Sequence, residues 1–446
     1  MQSDDDLAAR RFQHFRAAVE LAKDDIEKEH HKRELRYQRF QEHAAKANME
    51  GHDAALQRFS AKEERGLLAK CKVWTTADFE QVDVLGEGSF GVVHLVRRVE
   101  THDYCVLKQM SKAAYKKKNS RARIFAERNL LASAPSRWFV ELLATFQDAA
   151  HVYMVMEFLQ GGDLLHYLIE KGRFTARETC FYMAELLEAL DTLHGLGFVH
   201  RDVKPDNMVL DSSGHLKLLD FGLCTDLLGG QGHERREVEG GAAGARNLRG
   251  SCVGTLQYLA PDVLLGEYGK EVDIWSFGVI VFECLAGFPM FVLPPESDFE
   301  DSHWKLVTDK ILRYPEVVPE MLNVARQFGH FPPSAEQLLF GVLRDPQERL
   351  SAADCKDEPF FFGIDFARLH TLEPPFEVEV SGPADVRYFI DKERKMHPRK
   401  ALPEPQPEEL ARKDEELEWV QYEYDRWVQE LQNPEADISD LFSSGR

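Results

Sequence analysis

Two acidic residues and one amide are spaced along the chain in a way that suits the transfer of a phosphoryl group. Asp202 stands in the run HRDVKPDN (residues 200–207), and Asn207 follows it by five positions. Asp220 opens an Asp-Phe-Gly triplet eighteen positions after Asp202. A carboxylate such as Asp202 can accept or orient the proton of an attacking hydroxyl. Asn207 and Asp220 can hold magnesium ions that bridge the phosphates of ATP.

The stretch between these residues must fold them toward one another. Residues 208–219 read as two short apolar strands around a Ser-Ser-Gly turn, which would return Asp220 toward Asn207. Lys204 stands two positions after Asp202 and is predicted to stabilise the group being transferred. The pattern therefore predicts one catalytic loop followed by a hairpin.

A glycine-rich segment lies upstream. Residues 85–93 read LGEGSFGVV and fit the pattern G-x-G-x-x-G-x-V. Three glycines alone could mark only a tight hairpin. The flanks are strand-like on both sides, which favours a hairpin covering a nucleotide over a strand–helix dinucleotide fingerprint. The predicted nucleotide contacts here are Leu85, Gly86, Gly88, Gly91 and Val93.

Two charged residues follow the glycine-rich segment. Lys108 stands at the end of an apolar strand pattern, seventeen positions after Gly91. Glu127 lies in residues 123–131, whose apolar spacing predicts an amphipathic helix. Either residue alone would ordinarily be a solvated surface group. With the glycine-rich segment before them, a lysine on the α- and β-phosphates and its ion-pair partner are the better interpretation.

Together these motifs resemble a eukaryotic protein kinase over roughly residues 79–362. Further matches are an Ala-Pro-Asp triplet ending at Asp262 and a buried helix opened by Asp273. Arg349 stands where the family has the ion-pair partner of the acid that closes the activation segment. Most kinases have glutamate at Asp262, and we expect the shorter side chain still to reach Arg349. The resemblance implies an α+β, bilobal fold with a β-rich lobe to about Phe158 and a larger helical lobe.

The same resemblance indicates where adenine would lie. Residues 152–159 read as a buried strand that runs into a Gly-Gly hinge. The resemblance implies that Met156 is the gatekeeper and that Glu157 to Leu159 offer backbone groups to adenine. Asp163 could reach the ribose.

Composition restricts the function classes. The chain has 446 residues, 43% of them hydrophobic, which supports a substantial core. A net charge of −21 argues against nucleic-acid binding and against adsorption on anionic membranes. Seven cysteines without a C-x-x-C pair fit a reduced compartment and no zinc site. The acidic start predicts no signal peptide, and the longest uncharged run is expected to be a poor membrane span. We expect a cytoplasmic protein that could also enter the nucleus.

The first 78 residues read as helices with a partial apolar stripe beside basic residues. The stripe could belong to a solvated helical hairpin or a short coiled coil. A binding surface is favoured, because an exposed stripe usually needs a partner and nothing local covers it. This region resembles the N-terminal regulatory region of NDR/LATS kinases of the AGC group, which implies a Mob-type adaptor. The stripe consists of Phe12, Phe15, Val19, Ile26, Leu35, Tyr37 and Phe40.

Residues 363–434 resemble an AGC C-terminal tail, followed by a flexible end at 435–446. The tail ends in WVQYEYDRW, which is similar to the hydrophobic motif whose aromatic residues dock behind the helix of Glu127. Relatives usually carry a phosphorylatable residue where this chain has Glu423, and a fixed carboxylate can partly replace phosphate. An exposed amphipathic chain end is the alternative. The motif residues are Trp419, Tyr422, Glu423 and Tyr424.

The activation segment carries an insertion rich in Gly and Arg between residues 226 and 250. Such a composition cannot pack a core, and a passive loop is at least as good an interpretation as an autoinhibitory one. Ser251 aligns with the activation-loop phosphosite, which implies an upstream activating kinase. Arg201 could pair with that phosphate.

Three acids align with positions that AGC kinases use to read basic residues upstream of the target hydroxyl: Asp163, Asp206 and Glu283. Each could instead be a ribose ligand, a loop carboxylate or a helix carboxylate. Lys204 fits Ser/Thr rather than Tyr specificity. The resemblance therefore implies a basophilic Ser/Thr kinase that uses ATP and Mg²⁺, with a role in cell morphogenesis or division. The alternative is an adaptor-binding pseudokinase scaffold, although no catalytic residue type is missing.

Overall fold

The structure is a computed structural model that describes residues 34–42, 56, 59–60, 74–88, 91–115, 118–227, 256–266, 269–291, 300–329, 331–389, 402, 422 and 424–425. The chain divides into two compact units. The sheet unit comprises residues 1–114, 142–156 and 399–446, and the helical unit comprises residues 115–141 and 157–398. The change of unit after Met156 lies close to the lobe boundary predicted at Phe158. The predicted α+β fold with a sheet-rich lobe and a helical lobe is confirmed.

The elements are as follows. The described strands are β1 (Phe79–Gly88), β2 (Gly91–Arg98), β3 (Tyr104–Ser111), β4 (Leu142–Gln147), β5 (His151–Glu157), β6 (Phe198–Val199), β7 (Met208–Leu210), β8 (Leu216–Leu218), β9 (Thr225–Asp226) and β10 (Tyr424–Asp425). The described helices are α1 (Lys118–Ser133), α2 (Leu164–Lys171), α3 (Ala176–Gly195), α4 (Pro261–Leu265), α5 (Glu271–Ala286), α6 (Glu300–Leu312), α7 (Tyr314–Phe328), α8 (Pro333–Val342) and α9 (Ala352–Lys356).

The sheet unit is built on strands in the order β1-β2-β3-β5-β4-β10. One face buries a column of aromatic rings. The centroids of Trp74 and Phe79 are 5.6 Å apart, those of Phe79 and Phe146 are 5.7 Å apart, and those of Phe146 and Tyr153 are 4.6 Å apart. Stacked aromatic pairs add to the free energy gained from burial alone. Trp74 precedes residue 79 and still belongs to this core, so the packed core of the sheet unit extends beyond the predicted start of the kinase region.

The described part of the N-terminal stripe is partly covered. Residues 34–42 are helical. The ring of Phe40 lies 4.8 Å from that of Phe59 and is 1% exposed, whereas Leu35 and Tyr37 are exposed. The expectation that nothing local covers the stripe was therefore wrong for Phe40, because a later segment of the same region packs on it. The stripe residues before Leu35 lie outside the described residues.

The C-terminal tail adds a strand to the sheet unit. β10 pairs antiparallel with β4, with Tyr424 opposite Thr145. The Thr145 hydroxyl donates to the backbone carbonyl of Tyr422, whose side chain is fully buried. An added strand pairs the backbone N–H and C=O groups at the edge of the sheet, and it fixes which side chains of the tail point inward. Trp419 and Glu423 lie outside the described residues, and docking behind the helix of Glu127 stays a prediction.

We expect Tyr422→Ala to lower the free energy of unfolding of the sheet unit by about 3–5 kcal/mol, as for other large buried aromatic side chains. Tyr424→Ala, on the same strand but only half-buried, should cost clearly less. Urea unfolding monitored by tryptophan fluorescence would compare them. Equal losses in the two variants would contradict the burial of Tyr422.

An earlier part of the tail packs on the helical unit. The ring of Phe376 lies 4.9 Å from Tyr167 and 4.8 Å from Tyr182. Tyr388 lies against Gly162, whose φ is +74°. A Cβ at Gly162 would be 2.5 Å from the Tyr388 Cβ, so both the conformation and the close approach require glycine.

The helical unit centres on α3 and α5. Thr175 and Glu178 form a capping box at the start of α3, with Glu178 Oε2 accepting from Thr175 N at 2.7 Å. All but the first and last residues of α5 are buried, as predicted for a core helix. Within the described part of the chain, each helix is too short or too polar to cross a lipid bilayer.

Candidate active site

The backbone of the catalytic loop is anchored on the side chain of Asp273. This fully buried carboxylate accepts hydrogen bonds from His200 N at 2.9 Å, Arg201 N at 2.8 Å and His194 Nε2 at 2.8 Å. Arg201 has a φ of +68°, a left-handed conformation that a non-glycine residue adopts at a cost. Burial raises the pKa of Asp273, but hydrogen bonds and the nearby histidines lower it by more, so the net pKa lies below its ordinary value.

Asp202 is held by its own loop. Its side chain accepts a hydrogen bond from Lys204 Nζ at 2.8 Å. Asn207 Nδ2 donates to the Asp202 backbone carbonyl at 2.8 Å and to its Oδ2 at 3.3 Å. Asp202 is 9% exposed, which leaves its carboxylate fixed but within reach of solvent. The loop therefore brings a carboxylate, an ammonium and an amide together, as the spacing predicted.

The hairpin that returns Asp220 to this loop is present. β7 and β8 pair antiparallel with Met208 opposite Leu218. Leu219 N donates to the Asn207 carbonyl at 2.8 Å, so the residue before Asp220 is bonded directly to the catalytic loop. Asp220 itself adopts the left-handed conformation, with a φ of +55°.

The donor set of this loop and hairpin fits Mg²⁺. Both hydrogen bonds of the Asn207 amide use its nitrogen, which leaves Oδ1 available to a cation. Mg²⁺ prefers oxygen ligands and commonly takes one or two carboxylates together with substrate phosphates. No group of three or more His, Cys, Asp or Glu suited to a metal ion occurs among the described residues. The amide and carboxylate types of Asn207 and Asp220 therefore fit a cation that is also coordinated by substrate phosphates.

Glu127 lies beside the Asp-Phe-Gly triplet. Its carboxylate is buried on α1, and a Cβ at Gly222 would be 3.4 Å from Glu127 Oε2 and 3.3 Å from Asp220 Oδ1. Phe221 is packed between Phe139, at 5.1 Å between ring centroids, and His200, at 5.2 Å. These contacts fix the triplet against both α1 and the catalytic loop.

The glycine-rich segment forms the predicted hairpin in the sheet unit. β1 and β2 pair with Gly88 opposite Gly91, while Ser89 and Phe90 lie outside the described residues. A Cβ at Gly91, whose φ is +143°, would be 1.9 Å from the Gln109 carbonyl oxygen. Only glycine allows this approach. Lys108 lies on β3 directly opposite Val93.

Leu85, Gly86, Met156 and Leu159 are in the predicted strands or just after them. Leu85 and Gly86 belong to β1, Met156 pairs with Leu142 across β5 and β4, and Leu159 is buried after β5 ends. Asp163 caps α2 by accepting from His166 N at 2.8 Å through Oδ1. The Asp163 carboxylate already accepts this backbone bond, so a ribose or substrate contact would be an additional one.

The three predicted substrate-reading acids form one electrostatic neighbourhood. Burial, and then the charge of Asp206, raise the pKa of Asp163. Burial and the charge of Asp206 also raise the pKa of Glu283, whose Oε2 accepts from Tyr258 Oη at 2.8 Å. Asp206 is exposed while Glu283 is buried. Repulsion among these carboxylates would be relieved by a cation.

The predicted ion pair of the activation segment is confirmed. Arg349 Nη1 lies 2.7 Å from Asp262 Oδ2 and 2.9 Å from the Glu271 carbonyl. Both side chains are buried. Burial raises the pKa of Asp262 even with this guanidinium beside it. Ser251, which follows the insertion in the same segment, lies outside the described residues.

Sequence reasoning missed two anchors of the site. Asp273 was predicted only to open a buried helix, and Glu157, whose carboxylate accepts from Lys217 Nζ, was predicted to contribute only backbone groups. The available signal was a charged residue, Asp273, directly before a long apolar run in a helix already predicted to be buried, because a buried charge must be paired.

Comparison with known proteins agrees with this geometry. The model of the protein kinase domain matches residues 79–361. The chain belongs to the protein kinase family. The matched range begins at the predicted start of the kinase region and ends one residue before its predicted end at 362.

Several curated kinases are similar over most of this kinase chain. The probable serine/threonine-protein kinase ndrB of Dictyostelium discoideum is 33% identical over 362 residues, covering 74% of this chain and 65% of that protein. The serine/threonine-protein kinase CBK1 of Saccharomyces cerevisiae is 31% identical over 433 residues, covering 83% and 55%. The serine/threonine-protein kinase cot-1 of Neurospora crassa is 34% identical over 347 residues, covering 70% and 56%.

The chain thus spans less than two thirds of the length of these relatives. The similarity confirms the resemblance to NDR/LATS kinases of the AGC group.

Proposed function

We propose that the protein is a serine/threonine protein kinase that transfers the γ-phosphate of ATP to protein hydroxyls. The observation that carries this proposal is the catalytic loop, in which Lys204 and Asn207 both bond to the Asp202 carboxylate. Asp202 orients the hydroxyl and takes up its proton, while the Lys204 ammonium stabilises charge on the group in transfer.

The remaining roles follow from the same assignment. Asn207 and Asp220 would hold Mg²⁺, which when bound neutralises the charge of the ATP phosphates. By the same assignment, Lys108 would contact the α- and β-phosphates and Glu127 would be its ion-pair partner. The hinge residues Glu157 to Leu159 offer backbone groups to adenine.

Transfer of radioactive phosphate from ATP tests this function. The full chain should label a serine peptide with basic residues upstream of the serine, with or without an added Mob-type adaptor. Labelling at the level of a protein-free blank in both cases would contradict the kinase assignment and favour the pseudokinase scaffold.

We further propose that the preferred substrates are basic. The support is the group of acids formed by Asp163, Asp206 and Glu283, in which the charge of Asp206 helps to raise the pKa of the other two carboxyl groups, so that a basic side chain placed among them would relieve their repulsion. Preference for acidic flanking residues in a peptide array would contradict this.

Phosphorylation of Ser251 is proposed to activate the kinase. Arg201, next to the catalytic Asp202, would pair with the phosphate, and its Nε already donates to the Leu223 carbonyl at 2.7 Å. We expect Ser251→Ala to lower kcat/KM by about ten- to a hundredfold, since one hydrogen bond to a charged group contributes about 1.5–3 kcal/mol. Steady-state assay of the purified variant would show this, and full activity would refute it.

We propose the following division of the chain into regions. An adaptor-binding region covers residues 1–78, the kinase domain residues 79–362, the C-terminal tail residues 363–434 and a flexible end residues 435–446. Trp419→Ala or Tyr422→Ala should lower transfer to peptide if the hydrophobic motif supports activity. An upstream kinase, a cytoplasmic and also nuclear location, and a role in morphogenesis or division complete the proposal.

A further inference from the structure

A lysine on β8 is bonded to the first residue of the hinge segment, which we define as residues 157–162. Lys217 Nζ lies 2.6 Å from Glu157 Oε1 and 2.8 Å from Glu157 Oε2. The backbone N–H of Glu141 donates to the same Oε1 at 2.8 Å. The Glu157 carboxylate is therefore held by three hydrogen bonds, two of them from a charged donor.

The hinge segment is fixed at both of its ends. Glu157 N donates to the Glu141 carbonyl at 3.0 Å, so these two residues are bonded through both backbone and side chain. At the other end, Gly161 N donates to the Leu210 carbonyl, and Leu210 N donates to the Gly162 carbonyl, each at 2.9 Å. Lys217 on β8 and Leu210 on β7 thus anchor the segment to one hairpin.

The ion pair is partly shielded from water. The Lys217 side chain is 16% exposed and that of Glu157 is 21% exposed. A charged donor that bonds to both oxygens of a partly buried carboxylate contributes more stabilising free energy than an exposed surface ion pair does. The strand beneath it is itself held, because Leu218 N donates to the Trp138 carbonyl at 2.8 Å.

We propose that Lys217 is a positioning residue for the adenine base of ATP, an inference that rests on the proposed function. By fixing the Glu157 carboxylate, Lys217 fixes the backbone groups of the hinge segment that meet the base. Groups that are already in place bind without a further ordering cost. They also discriminate against guanine, whose different pattern of donors and acceptors would leave hinge groups unpaired.

Binding of two fluorescent nucleotides separates positioning from simple stabilisation of the fold. The probes are the N-methylanthraniloyl derivatives of ADP and GDP with Mg²⁺, titrated at a temperature where every variant is folded. We expect Lys217→Met to weaken binding of the ADP derivative about tenfold, or about 1.4 kcal/mol. Binding of the GDP derivative should change far less, so that the preference for adenine falls by a similar factor.

Two further substitutions test the same ion pair. Lys217→Arg should restore most of the preference for adenine, because a guanidinium can also bond to both carboxylate oxygens. Glu157→Gln keeps an acceptor for Glu141 but removes the charge, and it should reduce the preference in the same direction. This variant keeps the proposal testable if Lys217→Met does not fold.

Lys356→Met is the matched control. Lys356 Nζ lies 2.6 Å from both Glu188 and Asp191, and the Lys356 side chain is 18% exposed. The substitution therefore removes a comparable ion pair that is far along the chain from the hinge segment. We expect this variant to have a lower unfolding midpoint and the nucleotide affinities of the wild type.

Two results would overturn the role of Lys217. In one, Lys217→Met binds the ADP derivative as tightly as the wild type. In the other, it loses both nucleotides to the same extent, as a variant with a damaged fold would. Failure of the wild type to bind either nucleotide would instead remove the proposed ATP-dependent function, and the role of Lys217 with it.

Discussion

Replacing Asp202 by asparagine should lower kcat for peptide phosphorylation by about 10³-fold, within the range of about 10²–10⁴ that a positioned acid–base group contributes. The amide keeps the shape of the side chain but cannot take up the proton of the hydroxyl. Lys204 and Asn207 both bond to this carboxylate, so the substitution changes the side chain around which the catalytic loop is organised.

The Asp202 variant should still bind nucleotide. The Asp202 carboxylate contributes to the chemical step and not to nucleotide binding. We therefore expect KM for ATP to stay close to the wild-type value while kcat falls. Asp309→Asn, an exposed acid on α6, is the control and should keep full activity. A decrease in kcat below about tenfold for Asp202→Asn would contradict its assignment as the acid–base group.

Replacing Asp273 by alanine should destabilise the helical unit by about 3–5 kcal/mol, the cost of breaking a buried charged network by removing one partner. Two backbone N–H groups and the His194 ring would lose their acceptor. Because one of those N–H groups belongs to Arg201, whose backbone is strained, the catalytic loop should also lose its conformation and the enzyme its activity.

Urea unfolding compares this variant with Asp309→Ala, which removes an exposed carboxylate and should change stability by less than about 0.5 kcal/mol. Equal unfolding midpoints for the two variants would contradict the anchoring role of Asp273. Loss of stability with full retention of activity would contradict its link to the catalytic loop.

Asp273 should also make the protein sensitive to acid. Its pKa is lowered in the folded state, so its contribution to stability is present above the unfolded value of about 3.9 and is lost as the pH falls below it toward the folded value. Asp273→Asn should therefore lose stability less steeply than the wild type below about pH 4. Unfolding midpoints measured in urea across that range would show the difference, and parallel curves would contradict it.

Local patterns were enough to predict the parts of the site that are close in sequence. The β7–β8 hairpin was predicted from apolar runs around a Ser-Ser-Gly turn, and the glycine-rich hairpin from its strand-like flanks. The turn chemistry and the alternation of side chains act within a few residues, so the sequence carries them directly.

Contacts between distant segments could not be derived in the same way. Asp273 reaches its loop across 72 residues, and Thr145 bonds to Tyr422 across 277. No local pattern encodes such a pairing, because it depends on how whole elements pack. The ion pair of Arg349 with Asp262 was predicted only because the family resemblance supplied the partner.

The N-terminal stripe was only partly predicted from the spacing of its apolar residues. Exposure of the stripe was inferred from spacing along one helix, whereas Phe40 is covered by Phe59 from a later segment. Spacing defines the apolar face of a helix but does not identify what packs on it.

The most direct test of the central claim is the Mg²⁺ dependence of binding of a non-hydrolysable ATP analogue, measured by isothermal titration calorimetry. If Asn207 and Asp220 hold the metal on the phosphates, Mg²⁺ should tighten binding to the wild type by about tenfold or more, or at least about 1.4 kcal/mol. Asp220→Asn should lose that dependence, while Asp202→Asn should keep it. Equal binding to the wild type with and without Mg²⁺ would contradict the claim.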